Sequence, residues 1–239
     1  MHHIILFLLN IILVSSLLIL SAPVLAQDNQ FGLWGAWFNN VKFNEKWGMN
    51  NDIQFRAGRN WKESALFLIR PGVNYYVRPN QTASIGYATT LTLHHIKDQS
   101  RLTEHRIWEQ YIITNHMFEL PFQHRFRLEQ RFLKRSEETH FTQRARYFIR
   151  GILPLNTILA QTFNKGAFIA LQNELFFNIQ HKNVVNQHFF DQNRAYTAFG
   201  YRFSPSYDLE MGYMNQFLKR SHPPSQFTHI LQVAFYTRL

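Results

Sequence analysis

Cysteine is absent from this 239-residue sequence, and several kinds of chemistry are excluded with it. Without thiols the chain forms no disulfide, no zinc–thiolate site, no cysteine nucleophile and no lipid anchor on a processed N-terminal cysteine. Glycine and proline are also few, at 10 and 8, whereas there are 23 phenylalanines and 10 tyrosines. This balance favours β structure over a helical bundle.

Carboxylates are scarce relative to cations. The sequence has 15 Asp and Glu against 25 Lys and Arg, a formal net charge of +10, and charged residues make up only 17% of it. A chain that is 46% hydrophobic and 16% aromatic is too apolar to be disordered. We therefore expect a folded, basic protein.

One long apolar run is present, at residues 4–20, and small residues ending at Ala26 follow it. This arrangement predicts a secretory signal peptide over residues 1–26, cleaved after Ala26. The alternative is an uncleaved helical anchor, because a run of about 18 apolar residues can span a bilayer. No comparable run follows, so we expect residues 27–239 to form a single domain without a transmembrane helix.

After residue 26 the sequence alternates between apolar and polar residues with a period of two. In residues 122–132, for example, Phe126, Leu128 and Phe132 fall on one face, opposite Arg127 and Glu129. Alternating runs bounded by turn signals predict strands. We predict eleven, at residues 31–40, 46–58, 64–78, 82–95, 103–115, 122–133, 140–152, 166–180, 188–203, 207–218 and 226–239.

The connections between these strands alternate in length. Short ones lie near 41–45, 78–81, 116–121 and 203–206, and longer polar ones near 96–102, 134–139, 181–187 and 219–225. Transmembrane β-barrels have short periplasmic turns and longer outer loops, and each of their strands needs about 9–11 residues. Bacterial single-chain barrels have an even number of strands. Either the first segment is irregular or a further strand lies near 153–165. We therefore predict an all-β fold, an antiparallel up-and-down transmembrane barrel of 10 or 12 strands.

Alternation alone leaves open which face is inside. A soluble barrel or sandwich buries its apolar face, whereas a membrane barrel turns that face to lipid and has a polar lumen. The polar face of the middle strands is denser in arginine than a solvated sheet needs, and arginine can pair with several carboxylates and carbonyls at once. We predict a lumen network of Glu104, Arg106, Gln110, Arg125, Arg127, Glu129, Arg131, Arg144, Arg146, Arg150, Glu174 and Arg194, to which Glu210 is a further candidate contributor.

Two further features favour the membrane. Aromatic residues near strand ends are candidates for interfacial girdles: Trp34, Trp37, Tyr75, Tyr111, Tyr147, Tyr201, Tyr213 and Tyr236. The final strand alternates up to Leu239, which resembles the assembly signal of outer-membrane proteins. We expect insertion by the barrel assembly machinery into the outer membrane of a Gram-negative bacterium, in contact with its lipids, including lipopolysaccharide.

The polar strand segments also resemble a known family. They are EHRIWEQY (104–111), HRFRLEQRF (124–132), QRARYFIR (143–150), NELFFN (173–178), FDQNRAYTAFGYRF (190–203) and LEMGYMNQ (209–216). Their ordered series resembles the bacterial family called "domain of unknown function 2490", over nearly all of the chain after the predicted signal peptide. The resemblance implies an outer-membrane β-barrel and implies no activity.

Three function classes are compatible with these observations. The first is a structural or narrow barrel whose lumen is closed by Arg–Glu salt bridges. The second is an anion-selective channel or transporter for small anionic solutes, because rings of arginine favour phosphates and carboxylates. The third is a barrel-embedded lipid hydrolase or acyltransferase. Serine is scarce in the strands, and Ser84 is roughly 30 Å from His94 and His95 along one strand, so we expect no enzymatic activity.

Metal and nucleic-acid sites are not indicated. The twelve histidines are scattered without a ligand spacing, so we expect no metal and no cofactor. The adjacent Glu137 and Glu138 sit with Lys134 and Arg135 in a charged segment that we interpret as solvated. Because the arginines follow strand alternation and form no exposed patch with stacking aromatics, we expect no nucleic-acid partner.

Overall fold

The computed structural model describes residues 28–58, 65–93, 103–117, 120–135, 138–155 and 163–239. The predicted signal peptide, residues 1–26, lies outside the described residues, as do His94, His95 and Glu137. Among the described residues, no helix combines the length and the apolar character that a membrane crossing requires.

Strands make up most of the described chain. They are β1 Asp28–Lys42, β2 Trp47–Gly58, β3 Ala65–Ile69, β4 Gly72–Arg78, β5 Gln81–Leu93, β6 Thr103–Met117, β7 Leu120–Arg135, β8 Glu138–Pro154, β9 Gly166–Gln180, β10 Phe190–Ser204, β11 Tyr207–Leu218 and β12 Gln226–Arg238. A 3-10 turn, Lys182–Val184, follows β9. The predicted all-β fold is confirmed, and every predicted strand region contains a strand.

The sheet closes on itself into a barrel. Strands β5 to β12 pair antiparallel in sequence order, and β1 pairs with both β2 and β12. Strands β3 and β4 share one position, because each pairs with β2 on one side and β5 on the other. The twelve strands therefore occupy eleven positions around the barrel.

The break between β3 and β4 falls at Arg70 and Pro71. Proline has no backbone N–H, so it interrupts the ladder. Pairing continues around it, because the Arg70 N–H donates to the Asp52 carbonyl at 2.9 Å and the Pro71 carbonyl accepts from the Tyr87 N–H at 3.1 Å. The predicted single strand at 64–78 is therefore one barrel position with an internal irregularity.

The sheet has twelve strands, which agrees with the predicted 10 or 12, but the twelfth arises from the division of the region 64–78 into β3 and β4, so the number of barrel positions is odd. The first segment is a regular strand, and the eleven alternating runs of the sequence correspond to eleven barrel positions. With an odd number, the first and last strands run in the same direction, so β1 and β12 pair in parallel, with Trp34 opposite Gln232. All other neighbours are antiparallel, as predicted.

The barrel has two ends that differ in their connections. At the end we call the turn end, the connections are residues 43–46, 79–80, 118–119, 155–165 and 205–206. At the opposite end, the loop end, they are 59–64, 94–102, 136–137, 181–189 and 219–225. The predicted longer connection at 134–139 is wrong, because Lys134 and Thr139 still pair and only two residues separate β7 from β8.

The apolar face of the strands is outside. Large apolar side chains on five different strands, Leu33, Phe55, Phe126, Phe199 and Leu231, are between 39% and 59% exposed. Four predicted girdle residues, Trp37, Tyr75, Tyr201 and Tyr213, are also exposed.

Two predicted girdle residues are on the wrong face. Trp34 is buried and Tyr236 lines the interior. Trp34 is three residues from the outward Trp37, and Tyr236 is one residue from the exposed Phe235. An odd separation along a strand places two side chains on opposite faces.

Candidate functional site

The interior of the barrel holds the charged residues. All twelve predicted lumen residues lie on its inward face, contributed by β6, β7, β8, β9 and β10. Nine of them are buried: Glu104, Gln110, Arg127, Glu129, Arg131, Arg144, Arg146, Arg150 and Glu174. The strand period of two brings these residues together, because alternate residues of neighbouring strands face the same cavity.

Glu129 is the most enclosed carboxylate of the network, with 0% exposure. Its Oε2 accepts hydrogen bonds from Nε and Nη2 of Arg144 at 3.0 and 2.7 Å. Its Oε1 accepts from Nη1 of Arg146. Both oxygens thus accept hydrogen bonds from charged donors, and such charge-assisted hydrogen bonds are stronger than those between neutral groups.

Two further carboxylates complete this part of the network. Glu104 accepts two bonds from Arg106, at 2.8 and 2.7 Å, and one from Nε of Arg131. Asp191 accepts from Nη1 of Arg144 at 3.0 Å and is held by the Asn186 amide at 3.1 Å. We call this group of three carboxylates and three arginines the plug; it consists of Glu104, Arg106, Glu129, Arg131, Arg144 and Asp191.

Glu174 connects the plug to the rest of the interior. Its Oε1 accepts from Nε and Nη2 of Arg146 at 3.0 and 2.6 Å, and from Nη2 of Arg125 at 2.7 Å. The guanidinium groups of Arg146 and Arg194 also lie 4.5 and 4.9 Å from the centroid of the Phe176 ring. Phe176 is itself buried, so both guanidinium groups pack against an aromatic ring inside the barrel, an arrangement that stabilises a cation.

Between the plug and the turn end lies a cavity of about 940 Å³, which we call the vestibule. It reaches the rim of the turn end, where Asn80, His116 and Leu239 border it. Two side-chain carboxylates, those of Asp52 and Glu174, line the vestibule. Ten cationic side chains also line it: Lys42, Arg56, Arg70, Arg125, Arg127, Arg146, Arg150, Arg194, Arg202 and Arg238.

Six of these ten cations have carboxylate partners. Arg125 and Arg146 share Glu174, and Arg70 pairs with Asp52. The others use two buried carboxylates of β11 that lie behind the cavity wall. Arg150 pairs with Glu210, and Arg202 and Arg238 pair with Asp208.

The remaining arginines of the vestibule have no carboxylate within 4 Å among the described residues. They are Arg56, Arg127 and Arg194. Arg56 donates to the Gln54 side-chain oxygen at 2.9 and 2.6 Å, and Arg127 donates to that of Gln110 at 3.1 and 2.5 Å. These partners are neutral, so they orient the guanidinium groups without balancing their charge.

The sequence-based prediction missed part of the interior. It did not include Asp52, Arg56, Arg70, Asp191, Arg202, Asp208 and Arg238. Asp52 and Arg56 share the polar face of the alternating run at 46–57, so the same period-two rule that found β6 to β8 would have included them. Asp208 and Arg238 lie at strand ends, where alternation is short and the inward face is harder to identify.

Side chains considered for catalysis have other partners. Ser84 Oγ donates to the Asn74 side-chain oxygen at 2.8 Å. His124 lies on the outer face, where its Nδ1 is 2.9 Å from the Tyr147 hydroxyl. Within the described part of the chain, no group of three His, Asp or Glu side chains is arranged to hold a metal ion. Glu138 is exposed and lies 3.5 Å from His140.

Comparison with known proteins identifies one family. The model of the family described as "Protein of unknown function (DUF2490)" matches residues 31–228, so the resemblance indicated by the strand segments is confirmed. No curated protein and no solved structure matches the chain.

Proposed function

The chain belongs to this family of proteins of unknown function, and on that premise we propose that it is an outer-membrane β-barrel whose interior plug prevents the flow of solutes. The proposal assigns it a structural role in the envelope and no enzymatic activity. It has two parts, a location and a closed interior, and each rests on its own observation.

The location rests on the arrangement of apolar and charged side chains. In a water-soluble protein the large apolar side chains are mostly inside, whereas here they cover the outside and the arginines and carboxylates fill the inside. Soluble monomers rarely expose contiguous apolar patches larger than a few hundred Å². A closed barrel also leaves no unpaired strand edge, which lipid would penalise. Lipid is therefore the solvent that suits this outer surface.

The orientation follows from the connections. The turn-end connections contain 4, 2, 2, 11 and 2 residues, whereas those at the loop end contain 6, 9, 2, 9 and 7. Periplasmic turns of outer-membrane barrels are the shorter ones. We infer that the turn end, and with it the mouth of the vestibule, faces the periplasm.

The closed interior rests on the plug. Glu104 and Glu129 are each bonded to two arginines, and Arg144 bonds to two carboxylates, so ion pairs on the inward face join β6 to β7, β7 to β8 and β8 to β10. A water-filled channel would need these charges to face solvent, yet four of the six plug residues have side chains no more than 10% exposed, and the other two, Arg106 and Asp191, are 13% and 14% exposed. The low exposure of these side chains therefore favours a closed barrel over an anion-selective channel.

The location is tested by cell fractionation. We expect the protein in the outer-membrane fraction, resistant to extraction by salt, with a gel mobility that changes on heating because a closed barrel resists detergent unfolding. Recovery in the soluble periplasmic fraction would contradict the location and favour a soluble barrel.

The closed interior is tested by swelling of proteoliposomes in isosmotic solutions of small sugars and organic anions. We expect no swelling above that of empty liposomes. A general porin of known permeability is the control for the assay, and swelling in organic anions alone would favour the anion channel.

A further inference from the structure

We propose that the vestibule is a binding site for a small phosphorylated anion, held by Arg56, Arg127 and Arg194. The inference rests on the proposed function in one respect, because the plug makes the vestibule a chamber with one mouth. It goes beyond that function by assigning a ligand class to a site.

The charge balance of the vestibule requires an anion. Burying a charged group is costly unless it is paired, and these three arginines have no carboxylate partner within 4 Å among the described residues. Arg127 is 5% exposed, and its Nη1 donates to no described atom. Nε of Arg125 and Nε of Arg70, which also line the cavity, are likewise without acceptors. The wall of the vestibule therefore contains buried donors without acceptors as well as unbalanced charge.

The arginines are also held in fixed positions. The guanidinium carbons of Arg56 and Arg194 lie 4.1 and 5.1 Å from the centroid of the Trp34 ring, so they are within about 9 Å of each other. Arg127 lies 4.7 Å from the centroid of the Trp108 ring. Guanidinium groups stack on aromatic faces and keep their N–H edges free, so this packing presents donors to a ligand.

The ligand class follows from charge and size. Phosphate carries up to two charges and three acceptor oxygens, and the planar fork of arginine matches its geometry. Three unbalanced arginines exceed what one carboxylate neutralises, which favours a diphosphate or an organic phosphate. The cavity of about 940 Å³ is at the upper end of ordinary ligand pockets, roughly 300–1,000 Å³. A phosphorylated sugar or a phosphorylated lipid headgroup would fit within it.

The test is calorimetric titration of inorganic pyrophosphate into the full barrel, folded in zwitterionic detergent at low ionic strength. We expect one binding site per chain. The variant carrying both Arg56→Gln and Arg194→Gln should bind at least about tenfold more weakly. The matched control is Arg220→Gln, which removes one cation from a partly exposed ion pair outside the vestibule and should change the affinity by less than about twofold.

Several outcomes would overturn the inference. One is the absence of any heat of binding to wild-type protein that shows heat-modifiable mobility. Another is an equal loss of pyrophosphate affinity in the Arg220→Gln variant, which would mean diffuse attraction to a basic protein. If the double variant does not fold, Arg127→Gln serves instead and should also weaken pyrophosphate binding, by at least about fivefold; an unchanged affinity would count against the site.

Competition distinguishes the two sources of phosphate. Displacement of pyrophosphate by a soluble sugar phosphate would indicate a periplasmic metabolite, and displacement by a phosphorylated glycolipid would indicate a headgroup. Either supports the site. Pyrophosphate binding together with solute flux would support this inference and refute the closed interior. The absence of both binding and flux would refute this inference and support the closed interior.

Discussion

The plug and the vestibule are built from the same residue types, but they differ in their number of carboxylates. In the plug three carboxylates face three arginines, and every arginine has a partner. In the vestibule ten cationic side chains line the wall with two side-chain carboxylates, and three arginines have no carboxylate partner among the described residues. The two regions are neighbours on the same strands, since Arg127 and Glu129 are two residues apart on β7.

This difference shows that arginine density alone does not define a role. An arginine with a carboxylate partner on the next strand is part of the structure, because its N–H groups are used and its charge is balanced. An arginine oriented by glutamine and an aromatic ring keeps donors for a ligand. The position of the few carboxylates therefore divides the interior into a half in which the arginines are paired and a half with an excess of positive charge.

The largest expected effect comes from the centre of the plug. Glu129→Ala leaves Arg144 and Arg146 without their shared carboxylate in a buried site, which should cost about 3–5 kcal/mol of unfolding free energy. Urea unfolding of the refolded barrel measures this. Glu138→Ala is the control, because its carboxylate is 80% exposed and should contribute little. A stable Glu129→Ala variant would show that the plug is not a buried network.

The next prediction tests whether an arginine side chain is tolerated only on the inward face of the barrel. Leu128 precedes Glu129 and points outward, next to the exposed Phe126 in the face we assign to lipid. Leu128→Arg should cost about 2–4 kcal/mol if the site lies near the bilayer midplane. The measurement is the free energy of folding into lipid vesicles, with Leu128→Ala as the control for lost packing. A neutral result would contradict a lipid-facing outer surface.

A smaller effect is expected in the vestibule. Arg127→Gln removes hydrogen bonds to the neutral Gln110, which lowers stability, and removes one unbalanced cation, which raises it. The two effects on the free energy of unfolding therefore oppose each other. We expect a change below about 1 kcal/mol, much less than for Glu129→Ala. Urea unfolding decides the point, and a loss as large as that of Glu129→Ala would mean that Arg127 belongs structurally to the plug.

The smallest effect is expected outside the interior. Arg220 and Asp28 form an ion pair at 2.8 Å, with side chains 40% and 38% exposed. Arg220→Gln should change stability by no more than about 0.5 kcal/mol, and less at high salt. Unfolding at two salt concentrations measures this. A large loss would show that charge pairs matter equally everywhere, which would remove the distinction between plug and surface.

Much of the fold could be predicted from the sequence because strands alternate with a period of two. The eleven strand regions followed from that period, and the inward face of β6 to β8 followed from the density of arginine on their polar side. The eleven alternating runs match the eleven barrel positions, and the twelfth strand could not be located from periodicity because it arises from the interruption at Arg70 and Pro71. Trp34 was wrongly predicted to lie in an outer girdle because only its distance from the strand end was considered. The face of the strand on which it lies was not.

The division of the interior could not be predicted in the same way. Whether an arginine meets a carboxylate depends on the register between strands, which places Arg146 beside both Glu129 and Glu174. It also depends on Asp191 and Asp208, which lie near strand ends where alternation is short. Periodicity predicts which face of the sheet a residue occupies, but the pairing of arginines with carboxylates depends on the register between neighbouring strands.

The most direct test of the closed interior is the electrical conductance of the purified wild-type barrel in a planar lipid bilayer. The linked plug predicts insertion without steady current, in protein shown to be folded by its heat-modifiable mobility. Steady anion-selective current from the wild-type protein would contradict the account, because ions would then pass through Glu104, Glu129 and their arginines.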